Sequence, residues 1–332
     1  MIADIITLNF VTIKIKILNR SLGISFSGSR IYFTELINTD AGPKVDHVDS
    51  VKMDFDFEDE LGKYKSSQKD LANISSEIST YITKRNLDIK KAGLTISSSQ
   101  AFTLMLPIDY SEGKQSINSK IYWELSNYFP DNYNDFLINT YRLNNVLPCK
   151  NSDDFLIIAV GKNTVEFIKR IFKICSLELS VIDIDHFSAE NVIRINYDDK
   201  MIGKNVLLVG LKRGRIDYGF IENRKYKFYA HSKYYNDNEF NLSLTRKLGS
   251  VIRSEPILGR IDEIYFYGDE IKDDTIESVE KLGLATLHII NPFENISASD
   301  VFLKNDKLRK ISYKYSASCG IAPAVTEEGS IC

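Results

Sequence analysis

The chain has 332 residues, 43% of them apolar and 26% charged, and 42 Lys+Arg against 45 Asp+Glu leave a net charge of −3. That length suits about two domains, and that balance a globular protein with a core, not a disordered or collagen-like chain. Glycine is scarce, at 17 residues with no two adjacent, and there are 7 prolines. Gly-rich linkers are thereby excluded, and loops that wrap phosphate must be few. The four cysteines, Cys149, Cys175, Cys319 and Cys332, form no C-x-x-C. Such sparse use suits a reducing compartment and excludes zinc ribbons and disulfide scaffolds. The apolar start, MIADIITLNFVTIKIKILNR, carries Asp4, Lys14, Lys16 and Arg20. It lacks the order of a signal peptide and an uncharged run long enough to span a bilayer, so a cytoplasmic location is expected. The negative net charge gives no reason to expect nucleic acid as a partner.

In chain order, Val11, Ile13, Ile15 and Ile17 alternate with polar residues as in a half-buried strand. LGISFS (22–27) and RIYFTEL (30–36) flank Gly28-Ser29 and read as a hairpin. Residues 45–57 continue the meander, with Met53, Phe55 and Phe57 on one face and Asp54, Asp56 and Glu58 on the other. A helix follows, capped by Ser66 or Ser67 and striped with Leu71, Ile74, Ile78, Tyr81 and Ile82. From 94 the pattern changes to GLTIS, AFTLMLP, a helix near 114–128, YRL and FLIIAVG. A helix carrying Val165, Ile168, Ile171, Phe172 and Cys175 then leads to the strand LSVIDI (179–184) and a short helix, FSAENVIRI (187–195). NVLLVGL (205–211), RIDYGFI and KYKFYAH form a second meander, followed by a helix with Phe240, Leu244, Leu248, Val251 and Ile252. The strand EIYFYG (263–268), a helix with Ile276, Val279 and Leu282, and the strand TLHII (286–290) close this block. The two meander-then-helix units, near 22–84 and 205–252, read as versions of one plan.

Few residues carry chemistry outright. Gly23 and Gly28 have P-loop spacing, but no Lys follows Gly28 and the next segment alternates as a strand, so a plain hairpin turn is the reading. Asp54, Asp56 and Glu58 could gather a cation, yet lack the Gly of an EF-hand loop and read as a solvated strand face. Asp183, Asp185 and His186 sit at a strand end and could do acid/base work, but a strand-to-helix cap by Asp185 is the preferred reading. His47, His186, His231 and His288 have no metal-ligand spacing, so no metal site is expected. No G-x-S-x-G is present and no cysteine neighbours a histidine, which leaves no catalytic residue to name. Residues 211–235 interleave seven Lys/Arg with seven aromatics. A twisted meander with one polar face accounts for that; contact with a protein or lipid surface is the next reading and single-stranded nucleic acid the last.

Taken together, the segments resemble the PilM family of type IV pilus assembly proteins, relatives of FtsA with an actin-like ATPase fold. LGISFSGSRIYFTEL (22–36) is similar to that family's first phosphate hairpin, and KNVLLVGLKRGRIDYGFI to its second. LTISSSQAFTLMLPID (94–109) and IYWELSNYFPDNYNDFLINTYRL (121–143) resemble its inserted unit, with Trp123, Glu124, Tyr128, Phe129 and Pro130 at its W-E and Y-I-P positions. INPF (290–293) and CGIAPA (319–324) stand where the family has D-P-F and a closing G-L-A, on a terminal strand. The resemblance implies an α/β class: a duplicated actin-like (ribonuclease H-like) fold with an inserted α+β subdomain. It divides the chain into an N-terminal extension (1–20), a first subdomain (21–93, 181–200 and 301–325), an insertion (94–180), a second subdomain (201–300) and a tail (326–332).

The departures from the family concern its phosphate loops. Ser25-Phe26-Ser27 and Gly210-Leu211-Lys212 stand in place of two D-I-G motifs, and Gly268-Asp269 in place of G-G. With both metal-positioning carboxylates replaced, the resemblance implies no cofactor beyond weak, Mg²⁺-independent contact with ATP. Gly23, Ser25, Ser27, Gly28, Ser29, Gly210, Lys212, Gly268 and Asp269 would form that degenerate site. It further implies a catalytically degenerate scaffold, peripheral to an inner membrane, that holds the tail of a PilN-like single-span protein and engages an assembly motor ATPase. Homo-oligomerisation stays open. The fold is shared by the cytoplasmic part of GspL of type II secretion. Tyr122, Trp123, Tyr128 and Phe129 are the expected partner contacts. An active ATPase or small-molecule kinase of the same fold is the alternative, and an FtsA-like tether lacks its amphipathic C-terminal helix.

Overall fold

A computed structural model describes residues 20–39, 42–59, 61, 67–109, 113–143, 152–254, 260–298 and 305–325. The expected strand over Val11–Ile17, the tail 326–332, and Cys149 and Cys332 lie outside the described residues.

Two sheets repeat one plan. In the first, β1 (Arg20–Ser27), β2 (Arg30–Thr39) and β3 (Gly42–Lys52) form an antiparallel meander. β4 (Lys91–Ile96) joins β1 in parallel. The chain then leaves for a three-stranded antiparallel sheet built of β5 (Ala101–Asp109), β6 (Phe136–Leu143) and β7 (Ser152–Gly161). It returns as β8 (Glu178–Ile184), which lies parallel to β4. In the second, β9 (Asn205–Lys212), β10 (Arg215–Glu222) and β11 (Lys225–Lys233) are the meander. β12 (Glu263–Tyr267) and β13 (Thr286–Ile289) add in parallel beside β9. The orders β3-β2-β1-β4-β8 and β11-β10-β9-β12-β13 are the same. A two-residue strand, β14 (Ser297–Ala298), extends the first sheet beyond β3.

Sequence chemistry explains the elements. β1 and β9 are buried on both faces; β9 reads as an almost unbroken apolar run, whereas β1 alternates Leu22, Ile24 and Phe26 with the small Ser21, Gly23 and Ser25. α1 (Gln68–Lys84) starts at Ser67, whose hydroxyl accepts the Asp70 N–H while the Asp70 carboxylate accepts the Ser67 N–H, a capping box. α2 (Lys114–Tyr128) covers the inserted sheet. The strongly one-sided α3 (Lys162–Ile174) buries Val165, Ile168, Ile171 and Phe172. α4 (Asp185–Tyr197) follows β8; α5 (Asp237–Ser254) and α6 (Asp273–Glu280) flank the second sheet. The chain closes with α7 (Asp306–Lys310) and α8 (Ser316–Ile321).

Three expectations need correction. The strand expected to run to residue 57 ends at Lys52. Met53, Phe55 and Phe57 alternate because a loop drops every second side chain into the core, while the Met53 and Phe57 N–H groups bond to the carbonyls of Ser29 and Gly28. Phe57 stacks on Phe26 with ring centroids 4.3 Å apart. The helix expected from 187 begins at Asp185, and Asp185 is not its cap. The closing CGIAPA segment is α8 and a 3-10 turn, not a strand. A Cβ on Gly320 would overlap the Ser188 carbonyl oxygen, and one on Gly23 the Ser318 carbonyl oxygen. Glycine at both positions therefore lets α8 lie directly against α4 and β1. Gly320→Ala is expected to cost about 2 kcal/mol through overpacking, read as a lower urea midpoint at unchanged slope.

Candidate functional site

Ligands of open α/β sheets bind in the crevice at the carboxyl ends of the strands. Here the carboxyl ends of β1, β4 and β8 face those of β9 and β12, and the β1–β2 turn (Gly28-Ser29) and the β9–β10 turn (Arg213-Gly214) both meet the loop 53–59. Gly28 and Gly214 have φ of +53° and +71°, the left-handed geometry such turns require. At the mouth a 380 Å³ cavity is lined by Asp56, Glu58, Asp59, Arg213, Tyr235 and Glu270, among others.

Behind the mouth, charged side chains meet out of contact with water. The Lys212 ammonium, only 1% exposed, lies 2.5 Å from Asp185 and 2.7 Å from Asp217, and it donates to the Ser98 hydroxyl at 3.0 Å. Ser98 donates in turn to Asp217 at 2.6 Å, and its N–H donates to Asp185 at 3.1 Å. Asp217 also accepts from Arg215 (2.9 Å) and the Tyr229 hydroxyl (2.7 Å). Two cations and two carboxylates thus balance in one buried cluster. Burial alone would raise Asp217, but Lys212 and Arg215 hold it well below the usual carboxylate range. Burial would lower Lys212, but Asp185 and Asp217 outweigh it and keep the ammonium charged. For Asp185, burial wins against the pull of Lys212 and its pKa is raised. Beside the cluster, burial pushes His186 down to about 3, against the pull of Asp217. The neutral ring shares a 2.9 Å hydrogen bond with Tyr267.

Nearer the mouth, the Asp269 carboxylate receives Ser27 and Tyr32, both at 2.8 Å. The Gly28 N–H donates to Glu58 at 3.3 Å, and Arg213 pairs with Asp56 at 2.9 Å. Asp56 and Glu58 are therefore not a solvated strand face, whereas Asp54 is exposed. Arg213 is 69% exposed, so Arg213→Ala is expected to change stability by less than about 1 kcal/mol in urea titration.

Of the residues expected to form a nucleotide site, Ser27, Gly28, Lys212 and Asp269 converge on the crevice, with Ser29 completing the turn. Gly23 and Gly210 serve packing, against α8 and the Tyr267 ring, and Gly268 (φ +109°) lies against the Leu211 carbonyl. Ser25 is buried within the sheet. Ser98, Asp217 and Tyr32 escape sequence reading as site residues, and Asp185 is weighed there for acid/base work but read as a cap. The available signal was Lys212 and Asp217 within otherwise apolar strands, since charged residues are fully buried only when paired. The aromatics of 211–235 are mostly core: Tyr218, Phe220, Tyr226, Tyr229 and Tyr234 are buried. Among the described residues, no group of three or more His, Cys, Asp or Glu is placed to hold a metal ion, and no helix is long and apolar enough to cross a membrane.

Tyr122 on α2 and Phe129 just after it pack against the core of the inserted unit, whereas Trp123 and Tyr128 are 61% and 53% exposed.

No family model and no curated protein matches the sequence. Solved structures do. A chain of a PilM–PilN type IV pilus biogenesis complex superposes with a TM-score of 0.73 at 12% identity, covering 91% of this chain and 97% of that one. The fold is that of the actin-like ATPases. A protein of Bacteroides thetaiotaomicron with an actin-like ATPase fold and unknown function matches with a TM-score of 0.50 at 13% identity, over 83% of this chain and 93% of its own. The duplicated strand order and the inserted sheet agree with the expected actin-like class.

Proposed function

We propose that the chain is a scaffold of an inner-membrane assembly platform of the type IV pilus or type II secretion kind. It sits in the cytoplasm and reaches the membrane through its partners. It binds the cytoplasmic tail of a PilN-like single-span protein, presents that assembly to a motor ATPase, and does not turn over nucleotide. The likeness to a PilM–PilN chain along nearly the whole of both chains carries this reading. The exposure of Trp123, with Tyr128 half-exposed beside Phe102, supports it, because a large aromatic left in water on a helix is a natural anchor for a peptide. The filled crevice supports the absence of turnover, since Lys212 and Asp269 are already engaged within the chain.

An immobilised N-terminal cytoplasmic peptide of a PilN-like single-span protein should retain the chain without nucleotide. Trp123→Ala should weaken retention roughly tenfold, about 1.4 kcal/mol, while changing stability by less than about 0.5 kcal/mol. Failure of capture, together with tight Mg·ATP binding and turnover lost in Lys212→Ala, would favour an active ATPase or small-molecule kinase of the same fold.

A further inference from the structure

The crevice is crossed by the chain's own side chains at two depths. At the inner depth, Lys212 on the end of β9 reaches Asp185 and Ser98, which follow β8 and β4 of the other sheet. At the outer depth, Asp269 follows β12 and receives Ser27 at the end of β1 and Tyr32 on β2. The two depths are mechanically joined. Gly268 lies against the Leu211 carbonyl, and that same oxygen accepts the Glu270 N–H at 3.1 Å, so the Asp269 loop and the end of β9 move as one. All of these partners are supplied by strand ends, the place where an open α/β sheet receives a ligand. The inner group is a cation between carboxylates, and the outer group is an anion held by hydroxyl donors.

We propose that these groups form a two-stage latch: Lys212 and Asp269 act as internal ligands that keep the two halves closed without nucleotide. The proposal rests on reading the nucleotide loops as degenerate, and it adds a conformational consequence. A crevice closed by a diffusible ligand opens when the ligand leaves, whereas one closed by tethered groups stays shut at any ligand concentration. The surface offered to a partner would then be fixed in one arrangement.

Amide hydrogen exchange on the full chain tests this. The Ser98 N–H is the natural reporter, because it is buried on Asp185 at the bottom of the crevice, far along the chain from Asp269. In the unaltered protein it should exchange slowly, and at the same rate with or without millimolar Mg·ATP. Asp269→Ala should speed exchange at Ser98 and Gly28 tenfold or more while leaving the β9 and β10 amides unchanged. The pair Ser27→Ala and Tyr32→Phe, which removes the same bonds from the opposite lip, should reproduce the effect. Unchanged Ser98 exchange in both variants would overturn the latch, as would an equal rise across β9 and β10. Slowing of Gly28 and Gly214 exchange by Mg·ATP in the unaltered protein would overturn the degenerate-loop reading as well. Failure of peptide capture would touch neither result.

Discussion

Replacing Lys212 with methionine should destabilise the chain by roughly 3–5 kcal/mol, the usual cost of leaving a buried carboxylate without its cation. Methionine retains most of the apolar stem, so the loss is one of charge and hydrogen bonding, not of volume. The two carboxylates would not suffer equally. Asp217 keeps Arg215, the Tyr229 hydroxyl and the Ser98 hydroxyl. Asp185 keeps, among the described residues, the Ser98 N–H. The uncompensated charge after substitution is therefore that of Asp185, and Asp185→Asn in the same chain should recover half or more of the loss. An asparagine there can still accept from Ser98. Urea unfolding of the unaltered protein, the two single variants and the double variant forms the cycle that measures this. Additive losses would mean that Lys212 and Asp185 are neighbours without coupling.

The cluster also explains what could and could not be read in the sequence. Both meanders, α1, α3 and α5 are legible because each follows a single period, and several are bounded by a recognisable turn or cap residue, such as Gly28-Ser29 or Ser67. The stretch after Lys52 misleads because a loop that seats Met53, Phe55 and Phe57 alternately in the core has the period of a strand. The closing segment misleads differently: Gly320 reads as a strand or turn glycine, but its role is to let two helices touch. Lys212 and Asp269 are legible as departures from a motif. Their partners are not, because Asp185 lies 27 residues from Lys212, and Ser27 lies 242 residues from Asp269. Only the folded chain sets those distances. The exposure of Trp123 is equally invisible, since the spacing of α2 is compatible with either face being covered.

Glu58 should give the chain a stability that falls as pH rises from about 6.5 to 8. Burial is the main cause that pushes its carboxyl up to about 8; Lys212 opposes this and Asp185 adds to it. In the unfolded chain the same group titrates near 4.5. Between those values the folded protein holds a proton that the unfolded chain has released, so each rise in pH favours unfolding, and above about 8 the effect is complete. Asp183 and His186 act at lower pH. Asp183, raised to about 6 by burial, has the same sign but finishes there. His186, lowered from 6.5 to about 3, has the opposite sign: the unfolded chain takes up a proton first, so stability is lost as pH falls below 6.5. Burial also raises Asp185, Glu190 and Asp269, so the Glu58 share is the difference between the parent and a Glu58→Gln variant, about 2 kcal/mol across 6.5 to 8 at ~1.4 kcal/mol per unit. Glu58→Gln keeps an oxygen to accept the Gly28 N–H and carries no proton to release. It should flatten the profile, so that its advantage over the parent widens by about 2 kcal/mol between pH 6.5 and 8. Parallel profiles for parent and variant would show that the Glu58 carboxyl is as free to ionise in the crevice as it is in water.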